Sequence, residues 1–193
     1  MGAGGETAPS RETLEKVRRR EREALSELFE YGFDRIYALA VRLLGDRSMA
    51  EDAVQEVFLK VHRAANQLDP DRDPLRWMTT ITYNVCRDHW RSFAGKMEKS
   101  SVSINGSPAM KESLSHEAPS PEEEALRSER ERSVRRALME LPESLRTVVL
   151  LRDFEGWSHE EIAGMIGASA PAVRKRYSRA LSRLGELLEG LPE

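Results

Sequence analysis

Between Ala170 and Arg183 the chain carries Arg174, Lys175, Arg176, Arg179 and Arg183 and no acid. Arginine forks onto the O6 and N7 edges of guanine, and lysine holds phosphates or guanine. Such a run has the chemistry of duplex DNA recognition. A run of cations is more often a solvated helix face, so the flanking residues decide between the two readings. Ser158-His159-Glu160-Glu161 is a capping box: the serine hydroxyl takes an orphan N–H and the glutamate three residues on reaches back. It opens a short helix with Ile162, Ala163 and Ile166 on one side. Gly167 supplies the left-handed residue that a tight turn between helices needs. Ser169 caps the next helix, and Pro171 is tolerated in its first turn because the N–H it lacks has no partner there. Val173, Tyr177, Ala180, Leu181 and Leu184 then form a core side, which leaves Arg174, Lys175, Ser178, Arg179 and Arg183 outside. A capped short helix, a glycine turn and a basic helix make a helix-turn-helix, whose second helix enters the major groove.

A second set of groups suits unpaired nucleic acid. Residues 75–91 predict a helix with Met78, Ile81, Thr82, Val85 and His89 in its core. Trp77, Asn84 and Arg91 share one flank of that core, while Arg87 and Trp90 fall on others. Indole rings stack on bases, amides read base edges and arginines hold phosphates. Tryptophans in a small bundle are more commonly core, so these residues alone leave the face open between the two roles. The preceding helix, over about residues 49–66, buries Ala53, Val54, Val57, Phe58 and Val61. Its opposite face carries Asp52, Gln55, Glu56, Leu59 and Arg63. Alone, that face reads as solvated surface. The alternative is a docking surface for a basic or mixed-charge helix pair, with Leu59 as apolar anchor.

The elements that must position these groups follow from periodicity. Leu25, Leu28, Phe29, Phe33, Ile36, Tyr37, Ala40, Leu43 and Leu44 recur at intervals of three and four, which predicts one buried helical stripe ending at Gly45-Asp46. Ser48-Met49-Ala50-Glu51 reads as a capping box for the next helix. Residues 1–10 are Gly/Ala-rich and expected to be disordered, and residues 11–94 form a first helical unit. Residues 95–121, rich in Ser, Gly, Pro, Lys and Glu, bury too little to offset their ordering entropy and read as a flexible linker. Residues 122–191 form a second helical unit. It runs as a charged helix to Glu140, a break at Leu141-Pro142, a helix over 143–154 and two short helices after Gly156. No alternating strand pattern persists anywhere. The expected fold is all-α, two small bundles on a flexible tether, each marginal in size for independent stability.

Composition removes several function classes. With 33 acidic and 30 basic residues the net charge is −3, so DNA binding through bulk charge is not available and only a local basic stripe can act. No apolar run approaches the ~20 residues that cross a bilayer, and the first twenty residues hold no apolar core of a signal peptide. A cytoplasmic chain without membrane contact is expected. Cys86 is the sole cysteine, which precludes an internal disulfide or a cysteine-pair zinc site. His62, His89, His116 and His159 lack metal-ligand spacing. Asp69, Asp71 and Asp73 imitate the start of a calcium loop, but Pro74 stands where the loop needs glycine and Thr80 where it needs glutamate. No nucleophile motif, paired carboxylates with metal spacing or glycine-rich phosphate loop is present. A non-enzyme without metal or cofactor is expected.

With both units laid out, the sequence resembles the extracytoplasmic-function (ECF) class of bacterial sigma factors. YALAVRLLGDRSMAEDAVQEVFLKVHRA resembles region two of that family, its Asp-Ala-x-Gln-Glu-x-Phe core standing as Asp52, Ala53, Gln55, Glu56 and Phe58. DPLRWMTTITYNVCRDHWR is similar to the promoter-melting segment, and LPESLRTVVLLRDFEGWSHEEIAGMIGASAPAVRKRYSRALSRL to region four. The resemblance covers about residues 25–92 and 131–188. It departs from the common pattern in His62, where an aromatic is frequent, and in a long, serine-rich linker. It implies that Asp52, Gln55, Glu56 and Leu59 dock on the clamp helices of the polymerase β′ subunit. It further implies that residues 68–76, with Arg76, Trp77, Asn84, Arg87, Trp90 and Arg91, take the minus-ten element as single strand. Arg174, Lys175, Ser178 and Arg179 would read the minus-thirty-five element as duplex while region four packs on the β flap. The linker would thread toward the RNA exit path, and an anti-sigma factor would cover the polymerase-facing surfaces. Two rival readings stay in view: a sigma mimic that sequesters an anti-sigma factor, and a free-standing helix-turn-helix regulator. The first has no use for the retained DNA-reading groups. The second needs a dimer interface or ligand pocket that the first unit does not obviously offer.

Overall fold

A computed structural model describes residues 7–99 and 121–189, and among these every regular element is helical. The chain divides into two compact units, Met1–Ser107 and Pro108–Glu193.

In the first unit, Ser10 caps α1 (Arg11–Arg18) by accepting from the Thr13 N–H at 3.0 Å, and Pro9 is buried. Residues 7–10 are therefore placed rather than disordered as expected, while residues 1–6 lie outside the described residues. Leu14 and Val17 seat α1 on α2 (Arg22–Leu44). Arg20, at φ 62°, turns between them and donates from Nη2 to the Arg63 carbonyl at 2.8 Å. Helix α2 ends where Gly45 enters the left-handed region (φ 76°) and returns its N–H to the Val41 carbonyl.

Helix α3 (Arg47–Arg63) corrects the sequence reading of its start. Asp46, not Ser48, is the N-cap, its carboxylate taking the Met49 N–H at 2.8 Å, and Ser48 lies inside the first turn. Gly45 has already turned the chain and Asp46 is extended, so the first side chain able to cap does so. A 3-10 turn (Ala65–Gln67) leads to a loop and then α4 (Pro74–Lys99). Helix α4 continues well past residue 91, into the expected linker. Residues 93–99 hold Ala, Lys, Met and Glu, good helix formers that let an established helix run on. The remainder of that linker, 100–120, lies outside the described residues.

Leu28, Ile36, Leu39 and Leu43 of α2, Ala50, Ala53, Val57 and Val61 of α3, and Met78, Thr82 and Val85 of α4 make the core. The Thr82 hydroxyl is satisfied by donating to the Met78 carbonyl at 2.8 Å. Gly32 leaves room for the end of the Met78 side chain: a Cβ there would lie 2.7 Å from Met78 Cε. Several expected core positions differ: Phe29, Tyr37, Leu44 and Phe58 are half-buried. Ile81 and His89 are only half-buried; Thr79, Tyr83 and Cys86 are inside as well, because α4 packs on both α2 and α3 and its buried arc is broad. Phe33 is 46% exposed, stacked on Tyr37 and on Phe58 at 6.0 Å each.

In the second unit, α5 (Pro121–Glu140) breaks at Leu141-Pro142 before α6 (Glu143–Val149). The expected single helix over 143–154 instead widens into a π-helical turn (Leu150–Phe154) that the Glu155 N–H closes onto the Leu150 carbonyl at 3.1 Å. The wider turn keeps both Leu150 and Leu151 inside and leaves Phe154 44% exposed. Ser158 caps α7 (His159–Ile166) with both bonds of the capping box, 3.1 Å to the Glu161 N–H and 2.7 Å from its own N–H to Glu161 Oε2. Gly167 (φ 69°) makes the turn, and Ser169 caps α8 (Ala170–Leu188), a helix of 19 residues rather than a short one. Val148, Leu151, Trp157, Ile162, Ala163 and Val173 form the core beneath the two helices. Leu181, expected inside, is 44% exposed, and Tyr177 and Leu184 are half-buried.

Two stability predictions follow from these contacts. Asp46→Ala should cost about 1 kcal/mol, the usual loss on removing an N-cap, while Ser48→Ala stays within about 0.5 kcal/mol. Gly32→Leu should cost about 1–3 kcal/mol by overpacking against buried Met78. Urea unfolding of the full chain, followed by far-UV circular dichroism, reads both; equal costs at residues 46 and 48 would contradict the cap assignment.

Candidate nucleic-acid interface

Val173 and Ala180 pin α8 into its unit, and the opposite side of the helix presents Arg174, Lys175, Ser178 and Arg179, all exposed. Lys175 and Arg179 make no ion pair among the described residues. Arg174 does, with Nη1 at 3.0 Å from Glu160 Oε1 on α7, and Arg183 lies 2.8 Å from Glu186. Helix α8 is further held by Tyr177, whose hydroxyl donates to Asp153 Oδ1 at 2.8 Å. That bond to a carboxylate, with burial adding, pushes the Tyr177 phenol above its ordinary range. The result is a fixed helix with a cationic outer face of roughly groove width.

Helix α4 presents a different chemistry. Arg76 and Arg91 are exposed, and Trp77, Asn84, Arg87 and Trp90 are half-buried. At about 100° per residue the six occupy one arc of about 140°, which buried Tyr83 interrupts near Trp90. Trp77, Asn84 and Arg91 fall within about 40° of one another on this arc, with Arg87 and Trp90 displaced to one side of them. The Arg87 guanidinium sits 5.7 Å from the Tyr83 ring centroid, and its buried Nε has no hydrogen-bond acceptor among the described residues.

Beside Asn84 opens a cleft of about 390 Å³ lined by Lys60, Arg63, Ala64, Gln67, Ile81 and Asn84. It is lined by two amides, two cations and the apolar Ala64 and Ile81, and it is broadly open to solvent. Only Asn84 among these was singled out from sequence as a base contact. The rest come from α3, the 3-10 turn and α4, so no single stretch of sequence gathers them; the half-burial of Ile81, against its expected core place, is the trace the cleft leaves. In the loop before α4, Asp69 Oδ1 accepts from the Asp71 N–H (3.0 Å) and Asp73 Oδ1 from the Leu75 N–H (2.9 Å). Asp71 also pairs with Arg11 at 3.1 Å and Asp69 with Arg72 at 3.1 Å. These carboxylates brace turns and bind neighbouring arginines. No group of three or more His, Cys, Asp or Glu side chains is placed for a metal ion among the described residues.

On α3, Asp52, Gln55 and Leu59 are exposed, Leu59 by 57%. Glu56 is set apart from them. It is half-buried, receives Lys60 Nζ at 2.8 Å and lies 3.2 Å from His89 Nε2. The Lys60 bond holds the Glu56 carboxyl below its ordinary range, with a smaller contribution from His89, against the opposing effect of burial. Lys60 is also 3.8 Å from Asp88. Glu56 therefore ties the outer face of α3 to α4.

No described helix is long and apolar enough to cross a membrane. Residues 28–95 match the family described as Sigma-70 region 2, and residues 131–184 match Sigma-70, region 4. The chain is 32% identical over 184 residues to the RNA polymerase sigma-H factor of Pseudomonas aeruginosa, covering 92% of this chain and 93% of that one. It is 32% identical over 162 residues to the ECF RNA polymerase sigma factor SigE of Mycolicibacterium smegmatis, covering 84% of this chain and 60% of the other. In fold it is similar to the sigma factor RpoE of Bartonella quintana, solved in complex with the anti-sigma factor NepR, with a TM-score of 0.69 and 21% identity over 86% of this chain and 98% of that one. Both regions stand here in this order: the chain belongs to the ECF sigma factors, non-enzymatic DNA-binding proteins that direct transcription initiation.

Proposed function

We propose that the chain grips one promoter in two physical forms, duplex upstream and single strand downstream, while seated on core RNA polymerase in the cytoplasm. What supports this reading is that the two units expose nucleic-acid faces of different chemistry: a cationic helix in one, an aromatic and amide arc beside an open cleft in the other. Arg174, Lys175, Ser178 and Arg179 read the minus-thirty-five element in the major groove, arginine to guanine and serine to either partner. Arg76, Trp77, Asn84, Arg87, Trp90 and Arg91 hold the minus-ten element after it opens. Indoles stack, arginines take backbone, and a base turned out of the stack enters the cleft at Asn84. Capture of that base offsets unpairing, which costs a few kcal/mol.

Asp52, Gln55 and Leu59 dock on the β′ clamp helices, Leu59 as apolar anchor within a polar rim. Glu56 contributes there chiefly by fixing α3 against α4, so that docking and strand capture share one rigid frame. Region four packs on the β flap, and residues 95–121 serve as the tether between the two domains, 11–94 and 122–191. An anti-sigma factor covers the polymerase-facing surfaces, as the NepR complex of the Bartonella quintana protein suggests by analogy. No bond is made or broken by this chain.

Run-off transcription and core-binding assays test the assignment. Leu59→Ala should weaken core binding about tenfold, equivalent to about 1.4 kcal/mol, with unfolding unchanged. Trp77→Ala should slow strand opening, read by a fluorescent base analogue in the minus-ten element, with a loss of about 1–3 kcal/mol per unstacked base; binding to the upstream duplex should be unaffected. Arg174→Ala/Arg179→Ala should abolish preference for the minus-thirty-five sequence. Full selectivity in that double variant would remove the duplex half of the reading, and failure to bind core at all would favour a sigma mimic or a free-standing regulator.

A further inference from the structure

One contact within the helix-turn-helix is required neither by its core nor by its caps. Arg174, fifth residue of α8, reaches back to Glu160, second residue of α7, at 3.0 Å. Glu161, the next residue, is the one spent on the capping box. Both partners are more than half exposed, 53% for Arg174 and 65% for Glu160. Of the cations on the outer face of α8 taken here to meet DNA, Arg174 alone is matched by an acid from another helix. Lys175 and Arg179 have no such partner among the described residues. An exposed pair of this kind adds little to stability, so its weight falls on what Arg174 can do.

We propose that Glu160 is a specificity-determining residue of the duplex-reading helix, acting through Arg174. A guanidinium has five donors in a rigid plane. Glu160 engages Nη1 alone and leaves the remaining edge for the two acceptors of a guanine, so the fork is already ordered when the matching base is met. At a non-matching sequence the same cation is offered only phosphate, and there the carboxylate beside it repels the incoming anion and cancels much of the attraction. Glu160 thus penalises sequence-independent contact more than it penalises the matched one. The proposal deepens the reading of Arg174 as a minus-thirty-five contact and rests on it.

The test uses holoenzyme assembled with the full chain carrying Glu160→Gln, Arg174→Ala, or both. Equilibrium binding is measured across a salt series to promoter fragments whose upstream element is matched or scrambled. Glu160→Gln should tighten binding to the scrambled fragment about three- to tenfold. Its plot of log affinity against log salt should steepen by about one, near the 0.9 expected for one added phosphate contact. The matched-to-scrambled ratio should fall, and Glu160→Asp should restore part of it. With Arg174→Ala present, Glu160→Gln should change neither slope nor ratio, and far-UV circular dichroism should show all variants folded. An unchanged slope and ratio for Glu160→Gln would overturn the proposal. So would the same shift in the Arg174→Ala background, which would mean bulk charge, or a lost preference at one base pair independent of Arg174, which would mean that Glu160 reads the base itself. If Arg174→Ala alone left the ratio intact, the minus-thirty-five reading of Arg174 would fail and the proposal would fall with it.

Discussion

A chain with net charge −3 is repelled, on average, by the polymer it must recognise. The nucleic-acid faces proposed for the two units have to answer that constraint locally. Cations occur along the whole chain, but between Ala170 and Arg183 five of them stand without an acid, and Arg76, Arg87 and Arg91 lie along one arc of α4. Acids fill much of the remaining surface, and one of them, Glu160, reaches into the basic face itself. Phosphate attraction from so few cations is modest and fades with salt. On the proposed reading, affinity comes from two modest sites acting on the same promoter, each raising the effective concentration of the other once polymerase fixes their spacing.

Small bundles can serve such a scheme only if their outer faces are held rigidly, and the packing shows how this is done. Helix α8 is anchored by Val173 and Ala180 below, by Tyr177 to Asp153 at its side and by a capped glycine turn at its start. Helix α4 packs on α2 with the end of the Met78 side chain in the space that Gly32 leaves, and it is tied to α3 through Glu56, Lys60 and His89. The last of these links holds the helix proposed to dock on polymerase against the helix that carries the face proposed for unpaired DNA. A shift of α3 on docking would reach α4 through ion pairs and core together, which gives a physical route from polymerase binding to strand capture within one unit.

Much of this was legible in the sequence, and the limits were physical. The caps at Ser158 and Ser169 and the left-handed Gly167 are local rules, satisfied within a few residues, and they gave the helix-turn-helix and its outer face. Ser48 and Asp46 both satisfy such rules, and only the turn at Gly45 decides between them. The π-helical turn over Leu150–Phe154 adds a residue to one turn without disturbing an apolar pattern that already tolerates spacings of three and four. Phe33 and Leu181 sit at the edge of stripes wider than the neighbouring helices can cover. The cleft at Asn84 and the Arg174–Glu160 pair join separate elements, and periodicity along one helix carries no information about them. The exposed or half-buried state of the six residues on α4 likewise depended on which arc α2 and α3 would cover.

Equilibrium binding of a promoter fragment with its upstream element paired and its downstream element single-stranded, by the full chain with and without core polymerase, bears most directly on the two-form grip. The chain alone should bind weakly at physiological salt. With core the complex should be tight, and it should lose affinity separately when the upstream half is scrambled and when the downstream half is locked as duplex. Tight binding by the chain alone, or indifference of the holoenzyme to the state of the downstream half, would contradict the account.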